Sequence, residues 1–150
     1  MKIRTQESFP AAHFVQTAAE DSPCRRLHGH TWKVIVEIEG QTQPDGMVVD
    51  FRDVKTLIKQ LDHKTLLPGE GEDEDVYLQE LGNNYMITVG GTKLYSIPTE
   101  DCKILPIAVV TAENLAEYFL KIMIEEMFVG NEITVQVWES ENSYAEASSI

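Results

Sequence analysis

The feature that most constrains the fold is an alternating run over residues 30–39. Successive side chains of a β-strand point to opposite faces, so this run would have one largely apolar face and one more polar face. The two faces would carry His30, Trp32, Val34, Val36 and Ile38, and Thr31, Lys33, Ile35, Glu37 and Glu39. Gly40 and the turn-forming residues 44–46 would end the strand. The chain is therefore expected to build a sheet that is covered on one face.

Two segments have the apolar spacing of amphipathic helices. The first follows Asp50, a residue type that favours the N-cap position, and is predicted to run to about Leu61. The second is predicted to begin near Thr111, again as N-cap. The inward-facing side chains would be Val54, Leu57, Ile58 and Leu61 in the first helix and Leu115, Phe119, Ile122 and Met123 in the second.

Shorter runs predict the remaining strands. Residues 2–9 alternate, and so do residues 132–139, whose inner face would carry Ile133, Val135, Val137 and Glu139. Residues 85–89 and 92–97 flank a Gly-Gly pair, which predicts a hairpin. Strands and a hairpin beside two helices indicate an α+β fold with an antiparallel sheet.

Length and charge exclude several classes of protein. The 150 residues suffice for one domain, 1–150, with a hydrophobic core. The net charge of −13 argues against nucleic-acid binding, which needs a basic surface to displace counterions from phosphates. No apolar run approaches the ~20 residues of a membrane span. The first residues lack the apolar stretch of a signal peptide, so a cytoplasmic location is expected.

Three histidines have the spacing expected of a metal site. His28 and His30 are two residues apart on the predicted strand and would project from the same face. His13 follows the first strand, and a hairpin of the first two strands would bring it beside them. Three neutral imidazoles without a fourth protein ligand are typical of catalytic zinc, with nickel or iron as alternatives. Surface or core histidines would explain the His-x-His pattern by itself.

Cys24 lies four residues before His28 and is followed by Arg25 and Arg26. A nearby divalent metal and two guanidinium groups would favour the thiolate, which acts as a base or a nucleophile. A packed cysteine or a fourth metal ligand are the alternatives.

Two further carboxylates are candidates for chemistry. Asp62 precedes His63, and a carboxylate beside an imidazole can orient it for proton exchange; the alternative is a solvated pair at a helix end. Glu139 would share a strand face with buried residues, where an unpaired charge is costly. It would therefore meet an internal Arg or Lys, or a ligand edge that offers two hydrogen-bond donors.

Residues 68–75 are predicted to form a loop that carries a cluster of acids: Glu70, Glu72, Asp73, Glu74 and Asp75. A solvated acidic loop is the simpler interpretation, and a cation site is the alternative. Nothing in the spacing places this loop relative to the histidines.

Six motifs occur in one order along the chain. They are Phe9-x-Ala11-Ala12-His13, Cys24-x3-His28-Gly29-His30, Gly46-Met47-Val48-Val49-Asp50-Phe51, Leu61-Asp62-His63, Thr111-Ala112-Glu113-Asn114-Leu115 and Trp138-Glu139. This series resembles the 6-pyruvoyltetrahydropterin synthase and 6-carboxytetrahydropterin synthase family. The resemblance covers roughly residues 1–67 and 106–146.

The resemblance implies a tunnelling fold (T-fold), in which an antiparallel four-stranded sheet carries two helices on one face. In that family three subunits close their sheets into a barrel and two trimers stack, so a homohexamer with sites between subunits is expected. The stretch of about 68–105 is interpreted as an insertion that holds the predicted hairpin. It would be a surface elaboration or an oligomer contact, or it would cover the pocket and change which substrate fits.

The resemblance also implies roles for the candidate residues. Zn²⁺ would be bound by His13, His28 and His30, and the catalytic residues would be Cys24, Asp62 and His63. Glu139 would anchor a pterin, and Thr111 would line its pocket. Arg25 stands where the family commonly has glycine, and would add a cation for phosphate.

The implied activity is that of a zinc-dependent carbon–oxygen lyase acting on 7,8-dihydroneopterin triphosphate. The product would be 6-carboxytetrahydropterin, on a route to queuosine and other deazapurines, or 6-pyruvoyltetrahydropterin. One alternative is a pterin enzyme with another substrate, such as an aldolase-like cleavage. The other is a non-catalytic metal- or pterin-binding protein.

Overall fold

The computed structural model describes residues 1–127 and 130–150 and contains, within those ranges, nine β-strands and two α-helices. The strands are β1 (Lys2–His13), β2 (His28–Glu39), β3 (Lys64–Pro68), β4 (Val76–Leu81), β5 (Asn84–Val89), β6 (Lys93–Pro98), β7 (Cys102–Leu105), β8 (Glu132–Trp138) and β9 (Tyr144–Ser148). The helices are α1 (Phe51–Lys59) and α2 (Ala112–Met127). The α+β class is confirmed.

The larger sheet has six strands in the order β7-β3-β1-β2-β8-β9. β2 pairs antiparallel with β8, in agreement with the predicted antiparallel sheet, and β8 pairs antiparallel with β9, a strand that was not predicted. In contrast, β3 runs parallel to β1, and β7 runs parallel to β3. The prediction of four antiparallel strands is therefore wrong in number and partly in direction. The strands that it lacks, β3, β7 and β9, are too short for a clear alternating pattern.

The smaller sheet lies within residues 68–105 and has three antiparallel strands in the order β4-β5-β6. The predicted hairpin is confirmed as β5 and β6. Its turn contains Gly90 and Gly91 at φ values of 62° and 72°, a backbone conformation that glycine adopts without strain. β4 escapes prediction because both of its faces mix apolar and polar residues. The acidic residues before it form a short 3₁₀ turn at Gly71–Glu74 and are exposed, as a solvated loop would be.

The chain divides into two compact units. The first comprises Met1–Phe9, Thr31–Asp62 and Ala112–Ile150, and the second comprises Pro10–His30 and His63–Thr111. The long strands β1 and β2 pass from one unit into the other along the chain.

The first unit holds both helices. The Asp50 carboxylate accepts a hydrogen bond from the Arg52 backbone N–H at 2.8 Å, which confirms it as the N-cap of α1. α1 ends at Lys59, two residues before the predicted end. α2 packs against β8 and β9, and the Phe119 ring lies 6.4 Å from the Phe9 ring within a fully buried core.

The second unit has its own core beneath the three-stranded sheet. Its fully or almost fully buried members are Phe14, Leu67, Val76, Ile87 and Val89. Phe14 directly follows His13, so the end of β1 is fixed by apolar packing where the first candidate ligand lies. No helix within the described ranges is long and apolar enough to cross a membrane.

Candidate metal centre

The three histidines meet in the second unit. His13 is the last residue of β1, and His28 and His30 are the first and third residues of β2. One ligand atom from each imidazole lies within 4.8 Å of the others, and the ring centroids are 4.6 to 5.1 Å apart. The expectation that strand period and strand pairing bring these side chains together is confirmed. It is the one cluster of three or more His, Cys, Asp or Glu ligands with this geometry among residues 1–127 and 130–150.

Backbone carbonyl groups orient two of the imidazoles. His13 Nδ1 lies 2.8 Å from the Val110 oxygen, and His28 Nδ1 lies 2.5 Å from the Arg26 oxygen. A carbonyl oxygen only accepts, so each Nδ1 carries the proton and each Nε2 presents a lone pair. A hydrogen bond of this kind is what usually fixes the tautomer of a metal-binding histidine.

The spacing of the Nε2 atoms suits a tetrahedral ion. Those of His13 and His28 are 3.1 Å apart. Zn–N bonds of about 2.0–2.1 Å in tetrahedral geometry place ligand nitrogens roughly 3.4 Å apart, so a small adjustment would accommodate zinc. The Nε2 atom of His30 is buried from solvent. The residues present therefore fit a three-histidine metal site.

Burial keeps His13 in the form that binds metal. The His13 side chain is fully buried, and this desolvation, together with the neighbouring His28 and His30, lowers its pKa to about 4, although the hydrogen bond to Val110 opposes the change. The imidazole is consequently neutral near pH 7, and only a neutral imidazole can act as a metal ligand.

Cys24 lies in a one-turn 3₁₀ helix, Pro23–Arg25, between the two strands. The Ser22 side chain caps this turn by accepting from the Cys24 N–H at 3.2 Å, and the Cys24 carbonyl accepts from the Val15 N–H at 2.9 Å. The turn is thereby tied to the chain just beyond His13. The half-buried thiol is not part of the 4.8 Å cluster, which argues against a fourth metal ligand.

The Arg25 guanidinium contacts the backbone of the loop between β1 and β2. Its Nη1 atom donates a hydrogen bond to the Ala18 carbonyl at 2.7 Å, so the guanidinium holds the loop between β1 and β2. The guanidinium keeps its positive charge, so a role in binding phosphate stays a prediction.

Asp62 and His63 follow α1. Asp62, in the first unit, lies 3.7 Å from the Lys59 ammonium group. His63, in the second unit, is exposed and has φ of 58°, an uncommon left-handed conformation for a residue with a Cβ. Its N–H donates to the Pro10 carbonyl at 2.8 Å, which holds this strained backbone in place.

Thr111 and Glu139 are both half-buried and lie beside element ends. Thr111 directly precedes α2, and Glu139 directly follows β8 instead of lying within it as predicted. The Glu139 N–H donates to the Ser143 carbonyl at 3.2 Å in the β8–β9 turn. The pterin-binding roles of both residues stay predictions.

The groups that hold the histidines were not predicted from the sequence. The carbonyls of Arg26 and Val110 are backbone groups, which any residue supplies. Gln16, which is 5% exposed, donates to the neighbouring Ala108 carbonyl at 2.9 Å and is also absent from the predicted set. A polar residue three positions after a ligand was the one available signal.

Comparison with known proteins gives consistent results. The family model described as 6-pyruvoyl tetrahydropterin synthase matches residues 2–149. A Pyrococcus horikoshii protein, provisionally named 6-carboxy-5,6,7,8-tetrahydropterin synthase, is 35% identical over 148 residues, covering 98% of this chain and 89% of that protein. The dihydroneopterin monophosphate aldolase of Pyrococcus furiosus is 36% identical over 69 residues, covering 43% of this chain and 56% of the aldolase.

A solved structure resembles the whole chain. The 6-pyruvoyl tetrahydropterin synthase of Plasmodium vivax superposes with a TM-score of 0.82 at 30% identity, covering 99% of this chain and 96% of that one. These matches span residues 68–105 as well as the six motifs.

Proposed function

The chain belongs to the 6-pyruvoyl tetrahydropterin synthase family, and from that premise we propose that it is a zinc-dependent lyase acting on 7,8-dihydroneopterin triphosphate. The observation that carries the proposal is the cluster of His13, His28 and His30, with Nδ1 of two rings held by carbonyls and Nε2 left to bind an ion. The 35% identity to the Pyrococcus horikoshii protein favours 6-carboxytetrahydropterin as the product, on the route to deazapurine nucleosides.

In the proposed reaction the three histidines would hold Zn²⁺, and the bound ion would supply Lewis-acid polarisation of a substrate oxygen. Cys24, as thiolate, removes a proton from the substrate side chain. His63, oriented by Asp62, returns a proton. Triphosphate leaves by elimination, and formation of the 6-carboxy product also consumes one water and breaks the bond between the first and second side-chain carbons, which releases a two-carbon aldehyde.

Recognition of the pterin is assigned to Glu139 and Thr111. A pterin ring presents a ring N–H beside an exocyclic amino group, and a carboxylate can accept both hydrogen bonds in a bidentate fork. Glu139 is proposed to make that fork, and Thr111 to line the pocket.

The two products differ in carbon count, which makes them easy to distinguish. A 6-pyruvoyl product keeps all three side-chain carbons, whereas a 6-carboxy product keeps one, so two carbons must leave as a separate fragment. Mass spectrometry after incubation of zinc-loaded protein with the triphosphate would identify either product. Cys24→Ala protein with the same zinc content is the matched control. Absence of any substrate consumption by the zinc-loaded wild type would reject the proposal and favour a binding protein.

Aldolase-like cleavage is the second candidate, because the chain is 36% identical to the Pyrococcus furiosus aldolase over 69 residues. A retro-aldol reaction breaks a carbon–carbon bond and leaves the phosphate ester intact on the departing fragment. Elimination instead releases inorganic phosphate from the monophosphate and inorganic triphosphate from the triphosphate. Analysis of the phosphorus-containing products from the monophosphate and triphosphate substrates would therefore separate the two candidates.

We also propose assembly into a homohexamer, a dimer of trimers, with sites between subunits. Sedimentation of the zinc-loaded protein during turnover tests this point. An active monomer would contradict it.

A further inference from the structure

The linker between β7 and α2, residues 106–111, has no regular secondary structure, yet it orients a candidate metal ligand. The Val110 carbonyl accepts a hydrogen bond from His13 Nδ1 at 2.8 Å. Two residues earlier, the Ala108 carbonyl accepts one from Gln16 Nε2 at 2.9 Å. His13 and Gln16 are three positions apart, so the side chains of one short segment hold the linker through two hydrogen bonds.

Burial of the Gln16 side chain at this position is energetically unfavourable. Its side chain is 5% exposed, and its Oε1 atom is buried without a hydrogen-bond partner in the part of the chain that the structure describes. Burial of an unsatisfied acceptor is unfavourable, and an apolar side chain of the same size would avoid it. The amide is therefore best explained by a need for its N–H donor, which holds the Ala108 carbonyl.

Residues 70 and 71 also confine the linker. The Glu70 N–H donates to the Ile107 carbonyl at 3.1 Å. A Cβ atom added to Gly71 would lie 3.1 Å from the Ala108 oxygen and 2.9 Å from Pro68 Cγ, which is closer than ordinary contact. Ala108 and Val110 are two residues apart in this linker. Movement of Ala108 would consequently displace Val110 and disturb the hydrogen bond that orients the His13 ring.

We propose that Gln16 is a positioning residue of the metal centre, which acts on His13 through the Ala108–Val110 linker. The inference rests on the proposed function, since it requires the histidine cluster to bind a metal. Outer partners of metal-bound histidines typically contribute roughly 10–100-fold to metal affinity. The partner of His13 is the Val110 carbonyl, whereas Gln16 donates to the Ala108 carbonyl two residues earlier. We therefore expect its contribution to metal affinity to lie at the lower end of that range.

The test uses Co²⁺ alone as the probe, because its visible absorption reports ligand geometry independently of turnover. Gln16→Met removes the donor while keeping the length of the side chain. We expect roughly 10-fold weaker Co²⁺ binding and altered absorption bands. We also expect unfolding of the metal-free protein by urea to need a similar concentration of denaturant to the wild type, because removal of the unsatisfied Oε1 acceptor offsets the loss of the donor to the Ala108 carbonyl.

Two further variants separate positioning from general stability. Ile87→Val trims the core of the same unit without touching the linker, and should lower stability while preserving Co²⁺ affinity and spectrum. Gly71→Ala places a Cβ atom against the Ala108 oxygen, and should weaken Co²⁺ binding as Gln16→Met does. It supplies the same information if Gln16→Met fails to fold.

The outcomes distinguish the inference from the proposed function. A wild-type protein that binds no Co²⁺ would overturn both. Wild-type binding with unchanged affinity and spectrum in Gln16→Met and Gly71→Ala would overturn the inference alone. Equal losses of affinity in Ile87→Val and Gln16→Met would also overturn it, because general stability would then explain the effect.

Discussion

The candidate ligands and the candidate proton-transfer residues are held in different ways. His13 and His28 lie at the ends of the two longest strands, and a backbone carbonyl fixes each ring. Cys24 lies on a single 3₁₀ turn, and His63 is an exposed residue with a left-handed backbone between α1 and β3. The ligands are therefore pre-organised by the sheet, while the residues assigned to proton transfer depend on short connecting segments. Such a division suits a site in which the ion must stay fixed and the proton donors must approach a substrate.

The largest effect should come from separating metal binding from turnover. His28→Ala removes one ligand from a half-buried position and should lose most of the bound zinc, as measured by elemental analysis of the purified protein. Cys24→Ala should keep its zinc and lose turnover by about 100-fold or more, since it removes the base. Zinc content in His28→Ala equal to that of the wild type would contradict the metal centre. Loss of zinc from Cys24→Ala would return the thiol to the ligand set.

The contrast between the two groups also explains what the sequence could reveal. His28 and His30 are two residues apart on a strongly alternating strand, so their shared face follows from strand geometry. His13 required β1 and β2 to be neighbours, which the structure confirms. These are regular features with a fixed period, and regular features leave a pattern in the sequence.

The parts that escaped prediction lack such a pattern. The carbonyl partners of His13 and His28 belong to Val110 and Arg26, and a backbone group has no sequence signature. The parallel strands β3 and β7 have five and four residues, too few for a period to show. Their pairing depends on long-range contacts, which local propensity does not encode.

The second-largest effect should fall on pterin binding. Glu139→Gln removes the charge of the proposed fork and turns one acceptor into a donor. A charge-assisted hydrogen bond contributes about 1.5–3 kcal/mol, so affinity for a pterin should fall roughly 10–100-fold. Fluorescence titration with a non-reacting pterin would measure it, and zinc content should not change. Unchanged affinity would reject the anchor role, and Glu141→Gln, which removes the same charge from an exposed residue between β8 and β9, is the matched control.

A smaller effect is expected far from the chemistry, at the start of α1. Asp50→Ala removes the side chain that accepts from the Arg52 N–H, and should lower the free energy of unfolding by about 1 kcal/mol. Zinc content should be preserved, because α1 and the histidines belong to different units. Asp53→Ala, in the first turn of the same helix, is the matched control and should cost less. Equal losses of stability in urea titrations would show that the cap contributes nothing specific.

The smallest change in stability is expected at His63, where φ is 58°. Glycine adopts this conformation without strain but loses more backbone freedom on folding, so His63→Gly should leave the free energy of unfolding within about 1 kcal/mol of the wild type. Lys64→Gly, one residue later in β3, relieves no strain and should destabilise the protein more. If His63 returns the proton, His63→Gly must nevertheless lose turnover while it keeps zinc. A variant that is as destabilised as Lys64→Gly would show that the left-handed backbone is not the strained feature, and full turnover would remove His63 from the proposed relay.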